Sequence, residues 1–187
     1  MKRLIASGVV VILMVMGFGI ISTGASSEVP KFPLPLLVTC TGQTPGSITF
    51  YTILNKLRIE ATHDPLIVPR KMKGYKTMVV VMGASLKGLG AAGLNQQEEL
   101  ERCNIVLEKA KELGIKIVGA HIGGEARRNT IADKFITPFA PQVDYLLVLA
   151  ESNKDDLFTN IAEEHKIPLT VVESFADLLP VVTEMFQ

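Results

Sequence analysis

Residues 77–113 restrict the fold more than any other stretch. Met78, Val79, Val80, Val81 and Met82 form an uninterrupted apolar run. The chain then breaks into a loop where Gly83, Gly88, Gly90 and Gly93 are separated by small residues. Residues 96–113 follow, with Leu100, Cys103, Val106, Leu107, Ala110 and Leu113 at helical spacing. An apolar β-branched run, a glycine-rich loop and an amphipathic helix make one βα unit of a parallel sheet. Asn95 reads as the helix N-cap with Glu98 as its capping-box partner, and Gly114 as the C′ residue.

The same alternation extends in both directions. Apolar runs at 36–40, 115–120, 144–150 and 167–172 read as strands, and 66–68, set between prolines, as an edge strand. Helices are expected at 48–58 with Ser47 as cap, at 130–138, at 156–165 and at 175–186, the last kinked or restarted near Pro180. Near-continuous apolar strands separated by helices predict a doubly wound, mainly parallel Rossmann-like or flavodoxin-like α/β sheet with right-handed crossovers. Residues 36–187 form the single domain, and residues 28–35, with Pro30, Pro33 and Pro35, a linker.

Hydrophobic residues make up 48% of 187, and mean hydropathy is +0.32, high for such a domain. Much of the excess sits at the front. Lys2 and Arg3 precede an apolar run over 4–21 and a small polar segment over 22–27. That layout predicts a secretory signal peptide over 1–27, cleaved after Ala25 or Ser27, with an uncleaved membrane anchor over 4–21 as the alternative. The expected location is periplasmic or extracellular. Cys40 lies too far along to take a lipid anchor, and the absence of a twin arginine points to export in the unfolded state.

Formal charge is zero, and without residues 1–27 the balance is 17 basic against 19 acidic side chains. No basic excess speaks for nucleic acid. Trp is absent and aromatics are 6%, so stacking platforms are poorly supplied. Cys40 and Cys103 read as buried free thiols, and no Cys or His spacing suggests a metal.

Ligands of such sheets sit beyond the carboxyl ends of the strands. Loops 41–47, 83–93 and 121–129 should share that edge, joined by 151–155. They supply Gln43, Ser85, Lys87, His121, Arg127, Arg128 and Asn153, many unhindered backbone N–H groups, and in the first three loops a single acid, Glu125. Donors gathered at helix N-termini make an anion site. The candidate ligand-binding residues are Gln43, Ser85, Lys87, Gly88, Gly90, Arg102, Gly123, Gly124, Arg127, Arg128 and Asn153. His121 is the candidate acid/base, or equally a structural ring that caps its loop. Glu98, Glu99 and Arg102 read as an exposed helical ion pair, with Arg102 alternatively leaning over the glycine loop. Only one of the adjacent Arg127 and Arg128 should face inward.

Residues 88–93 match G-x-G-x-x-G, but the glycines do not follow the strand at once and no acid ends the next strand, so a dinucleotide is not expected. Lys87 lacks a P-loop context, and Ser85 is not in a nucleophile elbow. No cofactor is expected.

VMGASLKGLGAAG, AHIGGEARRNTIADKF, DYLLVLAESNKDDLFTNIAEEHKIPLT and the early TCTGQTPGS together resemble an exported bacterial family classed as a domain of unknown function. The likeness spans about residues 36–172. It implies no established activity. It marks Gln43, Ser85, Lys87, Gly88, Gly90, Arg102, His121, Gly123, Gly124, Arg127, Arg128, Asp133 and Asn153 as motif positions. Gly46-Ser47 stands where the family leads us to expect an acid, and Asn129 where it leads us to expect glycine.

These features favour an exported protein that binds a small anionic metabolite, with a transporter component as the candidate partner. The alternatives are an extracytoplasmic hydrolase or transferase using His121, and an interaction module with no ligand.

Overall fold

A computed structural model of the protein describes residues 29–187. The signal-peptide and anchor readings lie outside the described residues. Six parallel strands form one sheet in the order β2-β1-β3-β4-β5-β6. They are β1 (Leu36–Cys40), β2 (Ala61–His63), β3 (Thr77–Val81), β4 (Lys116–His121), β5 (Tyr145–Leu149) and β6 (Leu169–Val172). Every residue of β1, β3 and β5 is buried, as expected of strands covered on both faces.

Alternate side chains of these strands feed two apolar layers. On one face, α1 (Gly46–Lys56) and α6 (Phe175–Phe186) bring Phe50, Leu54, Leu178, Val182 and Met185 onto Val38, Val79, Val118 and Leu147. On the other, α3 (Gln96–Glu112), α4 (Thr130–Ile136) and α5 (Leu157–His165) bring Val106, Leu107, Phe135 and Phe158 onto Leu37, Met78, Val80, Ile117 and Leu146. The short α2 (Leu86–Ala91) joins β3 to α3. The fold is the doubly wound α/β sheet that the apolar runs predicted, with one apolar layer on each face of the sheet. The chain leaves β1 for β2 on one side and returns to β3 on the other. The crevice beyond the carboxyl ends of β1 and β3 is therefore the topological switch point.

Several local expectations are corrected. The edge strand is Ala61–His63, not 66–68: Pro65 and Pro69 bracket that run, the backbone turns on Asp64, and Ile67 enters the core without joining the ladder. Ser47 does not cap α1. Pro45 holds the cap position, and the Ser47 hydroxyl donates to the Thr44 carbonyl from inside the first turn. The glycine loop encloses α2, whose cap is Ser85, accepting from the Gly88 N–H at 3.0 Å. Helix α6 runs unbroken through Pro180. Residues 31–35 do not hang free as a linker: Phe32 packs on Tyr145 and Phe186, its N–H donates to Met185, and the Pro33 carbonyl accepts from the Thr77 hydroxyl at 2.7 Å. The Asn95–Glu98 capping box and the positive φ of Gly114 are as read.

Candidate functional site

The loops after β1 and β3 pack directly on each other. A Cβ on Gly42, whose φ is +56°, would lie 2.3 Å from the Gly83 carbonyl oxygen, and the Gly42 carbonyl accepts from the Ser85 N–H at 2.8 Å. A Cβ on Gly88 would lie 2.3 Å from the Gln43 carbonyl oxygen. These glycines thus serve loop-to-loop contact. Gly90 has open space around it.

Beneath this contact lies a buried polar network. Gln43, at φ +52°, donates through Nε2 to the Pro65 carbonyl and to Glu99 Oε1, both at 3.1 Å. Glu99 is fully buried and accepts from Arg102 Nε at 2.7 Å and Nη2 at 2.8 Å. Arg102 also donates to the Cys40 carbonyl. The exposed ion pair expected here is therefore an internal one. Glu99 lies on the stripe of Cys103, Val106 and Ala110, so the helix turns it inward, and Arg102 turns in with it rather than toward a ligand. Burial works against the Arg102 charge, but the bonds to Glu99 hold its pKa above the usual value. Cys40 and Cys103 are buried free thiols, which burial pushes up to about 11 and about 12.

His121 ends β4 and is 1% exposed. Its neighbours Ala120 and Ile122 face the α1/α6 layer. Its ring packs in the opposite layer, 5.6 Å from Phe158, and Nδ1 is buried without a hydrogen-bond partner. Burial, helped by the nearby Arg128 charge, lowers its pKa to about 4, so the ring is neutral at pH 7.

Of the adjacent arginines, Arg128 is the one tied down. It donates to Asp133 at 2.8 Å, to both carboxylate oxygens of Asp155 and to the Ser152 carbonyl, and its guanidinium lies 5.6 Å above the Phe158 ring. Glu125 and Glu151 line the same hollow, so these acids surround it. Asn153 holds the first turn of α5 from three residues before its N-cap, Asp156, accepting from the Phe158 N–H at 2.9 Å and donating to Thr159. Gly124, at φ +65°, lets the chain pass Glu151, whose carboxylate would meet a Cβ at 2.7 Å. Lys87 is exposed on α2.

Arg127 is exposed and, among the described residues, has no acid within ion-pair distance. Its stem crosses Gly123, where a Cβ would lie 2.5 Å away. It borders a cleft of about 210 Å³ between the start of α1 and the end of β4, whose wall also includes Thr44, Gly46, Thr49, Val81, Ile122 and Phe175. His121 contributes to this wall too, with its ring in the layer behind. The first turn of α1 carries no acid; its Gly46 N–H donates to Thr44 Oγ1 and its Ser47 N–H to the Thr44 carbonyl, both at 3.4 Å. Its N–H groups give the cleft a partial positive charge.

Against these surroundings, a family model matches residues 34–186. The chain belongs to DUF6305, a domain of unknown function. Neither the curated proteins nor the solved structures hold a match to it. Within this DUF6305 domain, the candidate positions divide. Arg127, Gly123 and His121 meet at the cleft, while Gln43 and Arg102 join the network below, and Arg128, Gly124 and Asn153 build the neighbouring loops. Thr44, Thr49 and Phe175 were missed. Phe175 was within reach of the topology: it follows β6 as the other loops follow their strands, so it ends on the same edge.

Proposed function

We propose that this DUF6305 domain is an exported protein that binds a small anionic metabolite in the cleft between α1 and the end of β4. The observation that carries the reading is the meeting of Arg127, unpaired among the described acids, with the acid-free first turn of α1 across one concave wall at the switch point. A cation and a helix N-terminus facing the same space favour negative charge there. Export rests on the composition of residues 1–27, and a transporter component is the partner such a binder would serve. Binding is favoured over turnover by His121: its ring is neutral, buried and packed on Phe158, a poor position for exchanging protons with a substrate.

A thermal-shift screen of residues 29–187 against carboxylates, phosphates, sulfates and nucleotides tests the reading. A ligand at 100 times its Kd adds about 2.7 kcal/mol of stability, a rise of several degrees. The rise should vanish in Arg127→Ala and persist in Lys87→Ala, whose side chain is outside the cleft wall. No shift with any anion would remove the proposal and turn attention to a protein partner.

A further inference from the structure

We infer that the cleft selects a monocarboxylate with a short apolar body, rather than phosphate, sulfate or a dicarboxylate. The inference rests on the anion-binding reading above and narrows it. Four cations were candidates for this edge, and one of them, Arg102, is bound internally to Glu99. The structure ties Arg128 to Asp133 and Asp155, and Lys87 lies outside the cleft wall, which leaves Arg127 as the one cationic side chain of that wall among the described residues. No acid lines it. One guanidinium matches one negative charge in bidentate geometry, and a second charge on the ligand would have no cation to meet.

The rest of the wall is largely apolar. Val81, Met82 and Ile122 form its base and are already out of water, each 2% exposed or less, so the apolar surface a ligand can cover is that of Pro45 and Phe175. Phe175 stands beside it, 47% exposed, the largest apolar side chain left half in water on this edge. A dianion that keeps its hydration gains nothing from such a surface, whereas an alkyl or phenyl group gains in proportion to the area covered. The volume of about 210 Å³ suits a small body, since a cavity of roughly 150 Å³ is enough to hold benzene. Thr44 Oγ1 accepts from the Gly46 N–H and Thr49 Oγ1 donates to the Pro45 carbonyl, both at 3.4 Å, so the Thr44 hydroxyl keeps its proton for one further polar group, such as a keto oxygen.

The test is an amide chemical-shift titration of residues 29–187 at constant pH and ionic strength. The probes are inorganic phosphate, sulfate, succinate, and straight-chain acids from acetate to hexanoate. Binding should move the amides of Gly46, Gly123 and Arg127, and Kd should fall about fourfold per added methylene. Arg127→Ala should abolish the response. Phe175→Ala should flatten the dependence on chain length while leaving the weak response to acetate. If phosphate, sulfate or succinate binds through Arg127 as tightly as hexanoate, the monocarboxylate inference is overturned and the anion site stands. If no probe moves these amides, both fall.

Discussion

Gly88 and Gly90 sit two residues apart in the same short helix and carry different constraints. A Cβ on Gly88 meets backbone, the Gln43 carbonyl oxygen at 2.3 Å, and backbone cannot rotate aside. Gly88→Ala should therefore lower stability by about 1–3 kcal/mol, as an overpacked interior does. Gly90→Ala meets nothing within 4 Å and should instead add about 0.5–1 kcal/mol through helix propensity. Urea midpoints of the two variants check both. Equal effects would show that the loop after β1 yields to α2. Gly88 lets the αL turn at Gln43 come close enough for its amide to reach Glu99. Gly88, Gly90 and Gly93 match G-x-G-x-x-G in spacing, yet Gly88 serves contact with the loop after β1, and Gly90 and Gly93 face open space.

Among the elements, α4 shows how a departure from the family pattern is accommodated. Asn129 has φ −165°, and its Oδ1 accepts from the N–H groups of Ile131 and Ala132 at 3.0 Å each. No positive φ is needed, so asparagine stands here as an N-cap rather than as a substitute for glycine. Asn129→Ala should cost about 1 kcal/mol and Asn129→Gly only a few tenths, measured by urea unfolding. The strands β1, β3, β4 and β5 were legible because burial on both faces writes itself as an unbroken apolar run. β2 was not: Ala61, Thr62 and His63 have no such run, and what orders them is pairing with Leu36, Leu37 and Val38. α2 was hidden by its two glycines and exists because Ser85 caps it. At the site, the loops that share the edge could be read from topology. The pairings could not, because Asp133 and Asp155 claim Arg128 across sequence gaps that no local pattern records.

For the whole molecule, His121 sets an acid limit on stability. Its folded pKa, about 4, lies below the ordinary 6.5, so between those values the unfolded chain holds a proton that the folded chain refuses. The contribution of His121 is full above pH 6.5 and is lost as pH falls toward 4, a change of order 3 kcal/mol across the window. Urea midpoints at pH 7.0 and 4.5 should separate clearly in the native protein and less so in His121→Gln. An unchanged separation would place the acid sensitivity on the carboxylates.

The docking of residues 31–35 gives the domain two poles. Phe32, Pro33 and Pro35 bind at the amino ends of β1, β3 and β5 and at the end of α6, whereas the cleft opens beyond the carboxyl ends. A five-residue strand separates those edges by about 17 Å. Anything that holds the chain ahead of Val29 therefore grips it at the pole away from the cleft. A change at residues 31–35 is thus felt first at the amino ends of the strands, a strand's length from the cleft.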